Sequence, residues 1–298
     1  MCPGQPRLEL PVELHKEIID ILGDEVSMPT ESKYEVDKEG LGTVCILSLV
    51  CKAWSSFAIQ HIFRMVHLKT NWRERQTRDL NGGKGHVECF LALIQANPGI
   101  ARYVQYVHLE LPCSADSEEH VLVEKVCRII KPIKSLKLNF NSFSPYFGGE
   151  SSLLYHPHLF NAVISLIQCP EFREFVLVCQ QFSTSFLQYT PNLECLNFTN
   201  SPIALLEDHF KSYRLPRPNK LVLQWSRPMD FVWQLKADPE IQAIFSEIEE
   251  LDTTVGLGEP FWWGEVLDLG RLTLLTLVCF ILNPDGALSD PQCDNLLI

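Results

Sequence analysis

The sequence predicts an α/β protein in which a small helical region precedes an irregular array of strand–helix repeats. Two observations predict this fold class. Apolar residues recur at helical spacing near the start of the chain, as at Leu14, Ile18 and Leu22. From residue 104 onward an apolar-x-x-apolar-x-apolar pattern returns again and again, which is typical of short buried strands separated by helices. We therefore expect parallel strands in one curved sheet.

The composition excludes several classes of protein. The chain has 298 residues, of which 46% are hydrophobic and 21% charged, so it is apolar enough to form a core and unlike a disordered chain. Residues 1–9 contain no apolar stretch, which predicts no signal peptide. The longest apolar run, residues 272–282, is about half of the ~20 residues that a membrane span needs. We expect a cytoplasmic or nuclear protein without a membrane partner.

The charge distribution disfavours nucleic acid as a partner, and the cysteines indicate a reducing compartment. Residues 226–298 contain three Lys/Arg and thirteen Asp/Glu, a net charge of −10, and nucleic-acid binders need clustered basic residues instead. The 11 cysteines are odd in number and include no C-x-x-C pair. We expect free thiols buried as small hydrophobic groups in a reducing compartment, at Cys45, Cys127, Cys179, Cys195 and Cys279.

Three helices are expected in residues 1–69. The first begins at Leu10-Pro-Val-Glu-Leu14, where proline suits an opening turn, and we expect it to end at Gly23. Residues 24–40 are polar and acidic without periodicity and predict a long loop. Apolar segments at 41–51 and 52–63 predict the second and third helices. Three such helices bury one small core and leave surplus apolar surface, which favours a partner.

These residues carry a resemblance to a known family. The order of Leu10-Pro-Val-Glu-Leu-His-Lys-Glu-Ile-Ile-Asp-Ile-Leu22, Leu47-Ser-Leu-Val-Cys-Lys-Ala-Trp54 and Ile62-Phe-Arg64 resembles the F-box. The whole chain resembles the F-box-like families of mushroom-forming fungi, which also carry a segment similar to residues 97–107. The loop at 24–40 is longer than a compact F-box needs, so it either projects beside the partner or weakens docking.

The resemblance implies a partner and a set of contacts. An F-box docks on the Skp-type adaptor of SCF-type ubiquitin ligases and, through it, on a cullin. Trp54 would pack inside the box. By their positions in the motif, the residues implied to contact the adaptor are Leu10, Pro11, Leu14, Ile18, Leu47, Leu49 and Val50.

A short strand at 65–69 and a linker at 70–86 follow the helices. The linker ends in a Gly-rich stretch, but it lacks the Ser or Thr that follows the Gly-Lys pair of a phosphate loop. Residues 87–282 then form the predicted array, and residues 283–298 a tail. Helices are expected at 87–96, 118–130, 153–168, 203–213 and 230–245, with an insertion at 142–155.

The repeated pattern predicts leucine-rich repeats. Most copies are separated by spacings close to those of such repeats, and residues 133–141 match L-x-x-L-x-L-x-x-N throughout. An ordinary α/β sheet is the competing fold, disfavoured because no Gly-rich nucleotide turn follows a strand. The copies are Val104/Val107/Leu109, Ile133/Leu136/Leu138, Phe172/Phe175/Leu177, Leu193/Leu196/Phe198, Pro218/Leu221/Leu223, Ile248/Leu251/Thr253 and Leu272/Leu275/Leu277.

Alternation along the strands predicts which residues face a target. If Leu136 and Leu138 point into the core, their neighbours point to the opposite face of the sheet. This concave face is the expected, mixed-polarity surface for a target protein. Its predicted residues are Ser135, Lys137, Asn139, Glu174, Val176, Val178, Asn197, Thr199, Val222 and Gln224.

No motif in the sequence indicates catalysis. His156-Pro-His158 is the closest approach to a metal-ligand pair, and a loop turn is the better interpretation. We expect no metal, no cofactor and no enzyme activity. The expected function is the substrate-recognition subunit of an SCF-type, cullin–RING ubiquitin ligase. The alternatives are a repeat scaffold without a ligase role and, less favoured, a hydrolase or transferase on an irregular α/β fold.

Overall fold

A computed structural model provides the coordinates of the chain. The structure describes residues 11–27, 38–50, 52–69, 85–112, 117–141, 157–178, 184–199, 216–224, 236, 239–256 and 267–280. The first three helices are α1 (Val12–Ser27), α2 (Lys38–Val50) and α3 (Lys52–Ile62). The later ones are α4 (His86–Ala96), α5 (Pro98–Ala101), α6 (Ser117–Ile129), α7 (Pro157–Ile167) and α8 (Pro239–Ile244). Two 3-10 helices span Thr184–Tyr189 and Leu269–Arg271.

The described residues form eight strands in one sheet. They are β1 (Met65–Lys69), β2 (Tyr106–Pro112), β3 (Ser135–Asn141), β4 (Glu174–Val178), β5 (Cys195–Thr199), β6 (Lys220–Gln224), β7 (Glu250–Gly256) and β8 (Leu274–Phe280). The order across the sheet is the order along the chain, and each strand runs parallel to the next. The predicted α/β class with a parallel sheet is therefore confirmed.

The strand register places like residues in rows across the sheet. The first inner row contains Val66, Val107, Leu136, Phe175, Leu196, Leu221, Leu251 and Leu275. The second contains Leu68, Leu109, Leu138, Leu177, Phe198, Leu223, Thr253 and Leu277. On β1–β7 every member of both rows is buried. Because alternate strand residues face opposite sides, these rows form the sheet's side of the core.

A second regularity precedes each strand from β2 to β8. The residue directly before a strand donates its backbone N–H to the carbonyl oxygen of the residue directly before the preceding strand. The donor–acceptor distances are 2.7–3.0 Å. The donors and acceptors form one series: Gln105 to Arg64, Lys134 to Gln105, Arg173 to Lys134, Glu194 to Arg173, Asn219 to Glu194, Glu249 to Asn219 and Thr273 to Glu249. The units therefore begin in the same way despite their different lengths.

Three helices cover the inner face of the first half of the sheet. Each presents apolar residues three or four positions apart, which is the spacing that makes one helical face. The buried residues are Val87, Leu91 and Ile94 on α4, Val123 and Val126 on α6, and Leu159, Val163 and Leu166 on α7. They join the inner rows in one hydrophobic core. None of the helices formed by the described residues has both the length and the apolar character required to cross a bilayer.

Several predicted boundaries differ from the structure. Helix α1 continues through Gly23 to Ser27, and α2 already begins at Lys38, so both ends of the predicted 24–40 loop are helical. In the predicted 153–168 segment the helix begins at Pro157. The predicted helix at 203–213, the insertion at 142–155, the tail at 283–298 and all but the last two residues of the predicted 70–86 linker lie outside the described residues. Of those two residues, His86 already begins α4.

The predicted burial of the cysteines holds only in part. Cys127 is fully buried, and burial raises the pKa of its thiol to about 12. Cys195 is half-buried and Cys45 is exposed. The prediction is wrong at Cys45 because the core side of α2 is occupied by its neighbour Val44. The side chains of Cys179 and Cys279 lie outside the described part of the chain.

Candidate functional site

Helices α1, α2 and α3 enclose a small core of their own. Ile19, Val44 and Ala58, one from each helix, are fully buried against one another. Leu41, Leu47, Trp54, Phe57 and Ile62 are partly buried around them. The predicted inward packing of Trp54 agrees with this arrangement, in which its ring also lies 5.4 Å from that of His15.

Gly23 sets the distance between α1 and α3. A Cβ atom at this position would lie 2.2 Å from Cγ of His61, far inside van der Waals contact. The His61 ring is held there by Asp20, whose Oδ1 lies 2.9 Å from Nε2. The interpretation of Gly23 as a helix stop is therefore wrong. The helix continues, and the absent side chain makes room for the neighbouring ring.

The outer sides of α1 and α2 carry most of the exposed apolar residues. The described residues include ten large hydrophobic side chains that are exposed, and seven of them lie on these two helices. We call this set the α1–α2 apolar surface: Val12, Leu14, Ile18, Ile21, Ile46, Leu49 and Val50. Leu49 is the most open of them, at 85%. Exposed hydrophobic residues are ordinarily scattered singly, so this concentration makes α1 and α2 the candidate for an interaction surface.

Most of the residues implied to contact the adaptor lie on this surface. Pro11, Leu14, Ile18, Leu49 and Val50 are exposed. Leu47 instead packs against the core of the three helices. Leu10 lies outside the described residues.

Three members of the surface are not among the residues implied to contact the adaptor: Val12, Ile21 and Ile46. A signal was available for Ile46, since it lies three residues before Leu49 and therefore on the same side of a helix. Residues 41–50 also contain no charged side chain. On α1, by contrast, Glu13, Lys16 and Glu17 are exposed beside the apolar residues. The surface thus has an uncharged part on α2 and a charged margin on α1.

The predicted target face is less open than expected. It lies on the sheet side opposite to the inner rows, as the alternation of β3–β6 predicts. Ser135, Val176, Asn197 and Val222 are nevertheless buried, so these four side chains are not accessible to a partner in this structure. The other six are partly buried: Lys137, Asn139, Glu174, Val178, Thr199 and Gln224.

A cluster of ionisable side chains occupies the β1–β3 end of this face. The imidazoles of His67 and His108 stack at 4.2 Å with nearly parallel planes. Glu110 accepts from Lys69 Nζ at 2.9 Å and lies 3.0 Å from His67 Nε2. Burial lowers the pKa of His108 to about 3, and the positive charges of His67 and Lys137 act in the same direction. Of this cluster, only Lys137 is predicted from the sequence, because no local sequence pattern relates the residues of β1 to those of β2.

His158 belongs to a contact between helices. The loop turn expected at residues 156–158 is wrong at His158, which lies in the first turn of α7. Its Nδ1 is 2.6 Å from Oε2 of Glu124 on α6, and Arg128 contacts the other carboxylate oxygen. The arrangement ties α6 to α7. Within the described ranges, no group of three or more His, Cys, Asp or Glu side chains has a geometry suited to a metal ion.

Comparison with known proteins adds no assignment. No protein-family model matches the chain, and no curated protein matches it.

Proposed function

We propose that this chain is a substrate-recognition subunit of an SCF-type, cullin–RING ubiquitin ligase. In this proposal the α1–α2 apolar surface docks on a Skp-type adaptor, and the sheet array holds a target protein. The observation that carries the proposal is the concentration of seven of the ten exposed large hydrophobic residues on two neighbouring helices. The resemblance of the first 64 residues to an F-box supplies the identity of the partner.

Energetics support a docking role for this surface. Burying one large apolar side chain is worth roughly 1.5–3 kcal/mol. Leu14, Ile46 and Leu49 are 42%, 66% and 85% exposed, so much of this free energy is available to a partner. The core beneath is complete without them, because Ile19, Val44 and Ala58 already fill it.

The regularity of the sheet supports a target-holding role. Eight strands in chain order, with apolar residues in rows and the same backbone bond before each of β2–β8, agree with a solenoid of leucine-rich repeats. Such arrays present an extended sheet face to their partners. Lys137, Asn139 and Gln224 on that face retain partial exposure and can donate or accept hydrogen bonds.

The proposed mechanism requires no catalytic residue in this chain. A bound target would be held close to the ubiquitin-carrying enzyme of the ligase, which turns an encounter in solution into a positioned reaction. The contribution of the chain is then its two binding surfaces.

The test is a double substitution, Leu14→Asp with Leu49→Asp. Two charges placed in the docking surface should weaken binding to a purified Skp-type adaptor at least about 100-fold, because two buried apolar contacts are lost. Ile129→Asp with Leu269→Asp is the matched control. Both residues are exposed hydrophobics, at 38% and 39%, outside α1 and α2. Binding is measured by biolayer interferometry, with circular dichroism to verify folding.

Unchanged adaptor binding in the Leu14→Asp, Leu49→Asp variant would refute the docking assignment. Affinity purification with the proteasome blocked then separates ligase from scaffold. A ligase subunit co-purifies with cullin as well as adaptor, and its target accumulates when the chain is removed. Adaptor without cullin, together with steady target levels, would instead support the scaffold alternative.

A further inference from the structure

The first three strands carry a continuous group of polar side chains on the outer face of the sheet, opposite to the inner rows. Two rows of three residues face outward there, because they alternate with the buried inner positions. We call them the β1–β3 outer cluster: His67, His108 and Lys137 in one row, and Lys69, Glu110 and Asn139 in the next. Five of the six side chains carry an N–H group, and only Glu110 carries none.

The carboxylate of this cluster lies deeper than its positive groups. The side chain of Glu110 is 11% exposed, whereas those of Lys69 and His67 are 40% and 44% exposed. Oε1 of Glu110 accepts from Lys69 Nζ at 2.9 Å, and Oε2 lies 3.0 Å from His67 Nε2. Glu110 therefore fixes both groups, and a ligand that approaches from solvent meets an ammonium group and an imidazole before it meets the carboxylate.

The rest of the outer face has the opposite charge. Glu174 on β4 and Glu250 and Asp252 on β7 face outward and are half-buried. Among the outward residues of β4–β8 that the structure describes, Lys220 is the single cation, and its Nζ lies 3.2 Å from Glu250. A long polyanion such as a nucleic acid would be repelled along this part of the face. The positive end of the face therefore suits a short acidic segment.

The dimensions and the donors of the cluster limit the ligand further. Neighbouring strands lie about 4.8 Å apart, so three strands span about 10 Å, which is the length of about three residues of extended chain. Lysine and histidine offer single donors, without the paired donors by which arginine matches a phosphate group. The carboxylate of Glu110 would also repel a doubly charged phosphate more than a singly charged carboxylate. The chemistry of the cluster thus favours carboxylates.

We propose that the β1–β3 outer cluster binds a short run of aspartate or glutamate residues in a target protein. The positive groups nearest to solvent pair with the carboxylates of this run, and the amide of Asn139 donates to one of them. The proposal rests on the target-holding role proposed for the sheet and names the chemistry of the target segment. It does not involve the α1–α2 apolar surface, so the two proposals can fail independently.

Fluorescence anisotropy on the full chain tests the proposal with labelled peptides. The probe is a Gly-Ser peptide with a central run of glutamates about three residues long, and a peptide with lysines in their place should bind at least about tenfold more weakly. Lys137→Glu should weaken binding of the glutamate peptide at least about tenfold, because like charges then meet. Lys137→Gln removes the charge without reversing it and should weaken binding about threefold.

Lys125→Glu is the matched control. It changes the net charge by the same amount at an exposed position of α6, which covers the inner face of the sheet. Its affinity for the glutamate peptide should equal that of the wild type, and circular dichroism verifies that every variant is folded. Leu14→Asp with Leu49→Asp should lose the adaptor and keep the peptide, which separates this site from the docking surface.

Three outcomes would overturn the acidic-segment site. The first is a wild-type chain that binds the glutamate peptide no better than the lysine peptide. The second is an equal loss of affinity in Lys137→Glu and Lys125→Glu, which would reduce the effect to overall charge. The third is tighter binding of a peptide in which phosphoserines supply about the same total charge, which would assign the cluster to phosphate. Adaptor binding that persists in any of these cases leaves the proposed docking function intact.

Discussion

At the scale of single residues, the stacked imidazoles on β1 and β2 have a physical consequence. A proton on His108 would be buried, 4.2 Å from the ring of His67 and close to Lys137. The carboxylate of Glu110 favours the charged imidazole, but burial outweighs it, and Glu110 already accepts from Lys69. The folded chain therefore keeps His108 neutral under conditions in which an unfolded chain would protonate it.

This difference predicts a loss of stability in acid. The pKa of His108 is lowered to about 3, against about 6.5 for an unfolded chain. At a pH above the pKa of the unfolded chain, neither the folded nor the unfolded state protonates His108, and the contribution of this residue to stability is complete. As the pH falls from about 6.5 towards 3, the unfolded state gains protons that the folded state does not, which costs up to about 1.4 kcal/mol per pH unit. His108→Gln should flatten this slope in urea denaturation measured between pH 7.5 and 5.

His86→Gln is the matched control, because His86 is exposed at the start of α4. This variant also removes one imidazole, but from the surface rather than from the sheet, and so separates the effect of burial from that of losing a histidine. An unchanged slope in His108→Gln would show that the buried imidazole does not set the acid sensitivity.

At the scale of helices, two glycines have opposite roles. Gly23 on α1 faces the His61 ring, with no room for a Cβ atom, whereas a Cβ at Gly42 on α2 would meet nothing within 4 Å. Glycine inside a helix is unfavourable by roughly 0.5–1 kcal/mol relative to alanine unless packing requires it. Packing requires it at Gly23 and not at Gly42.

The pair predicts changes of opposite sign. Gly23→Ala should destabilise the three helices by about 1–3 kcal/mol, because the new methyl group displaces His61 from Asp20. Gly42→Ala should stabilise them by about 0.5–1 kcal/mol. Guanidinium denaturation followed by helical circular dichroism measures both. Equal effects at the two positions would contradict the close approach of α1 and α3.

The sequence allowed the strands to be predicted better than the helix surfaces. The apolar-x-x-apolar-x-apolar copies correspond to the inner rows, because strand alternation fixes the facing of every residue once one is known. The buried side of a helix depends on its neighbours instead. Ile18 lies next to Ile19, yet Ile18 is 38% exposed and Ile19 fully buried. Only the positions of α2 and α3 decide which of the two enters the core.

At the scale of the whole molecule, the described residues form two separate hydrophobic cores. The core of α1–α3 contains three fully buried residues. The core between the sheet and its helices extends from Val66 on β1 to Leu251 on β7. Buried apolar area is the main source of stability, so the two cores differ widely in what they contribute. The pattern of repeats predicted the large core, but the burial of Val176 and Val222 on the opposite face depends on tertiary contacts that no periodicity encodes.

This difference predicts that the two parts open separately. Amides of α1–α3 should exchange with solvent more than about tenfold faster than those of β3–β6, because fewer buried contacts hold them closed. Hydrogen exchange followed by mass spectrometry on the unmodified chain measures both. Equal protection in the two regions would indicate a single cooperative unit.

The sequential order of the strands also bears on how the chain is made. Since β2 pairs with β1, β3 with β2, and so on to β8, the partner of each new strand has already left the ribosome when that strand emerges. The nascent sheet can grow by one strand at a time on an existing template, without waiting for distant segments. Synthesis from the amino terminus and assembly of the sheet thus proceed in the same direction.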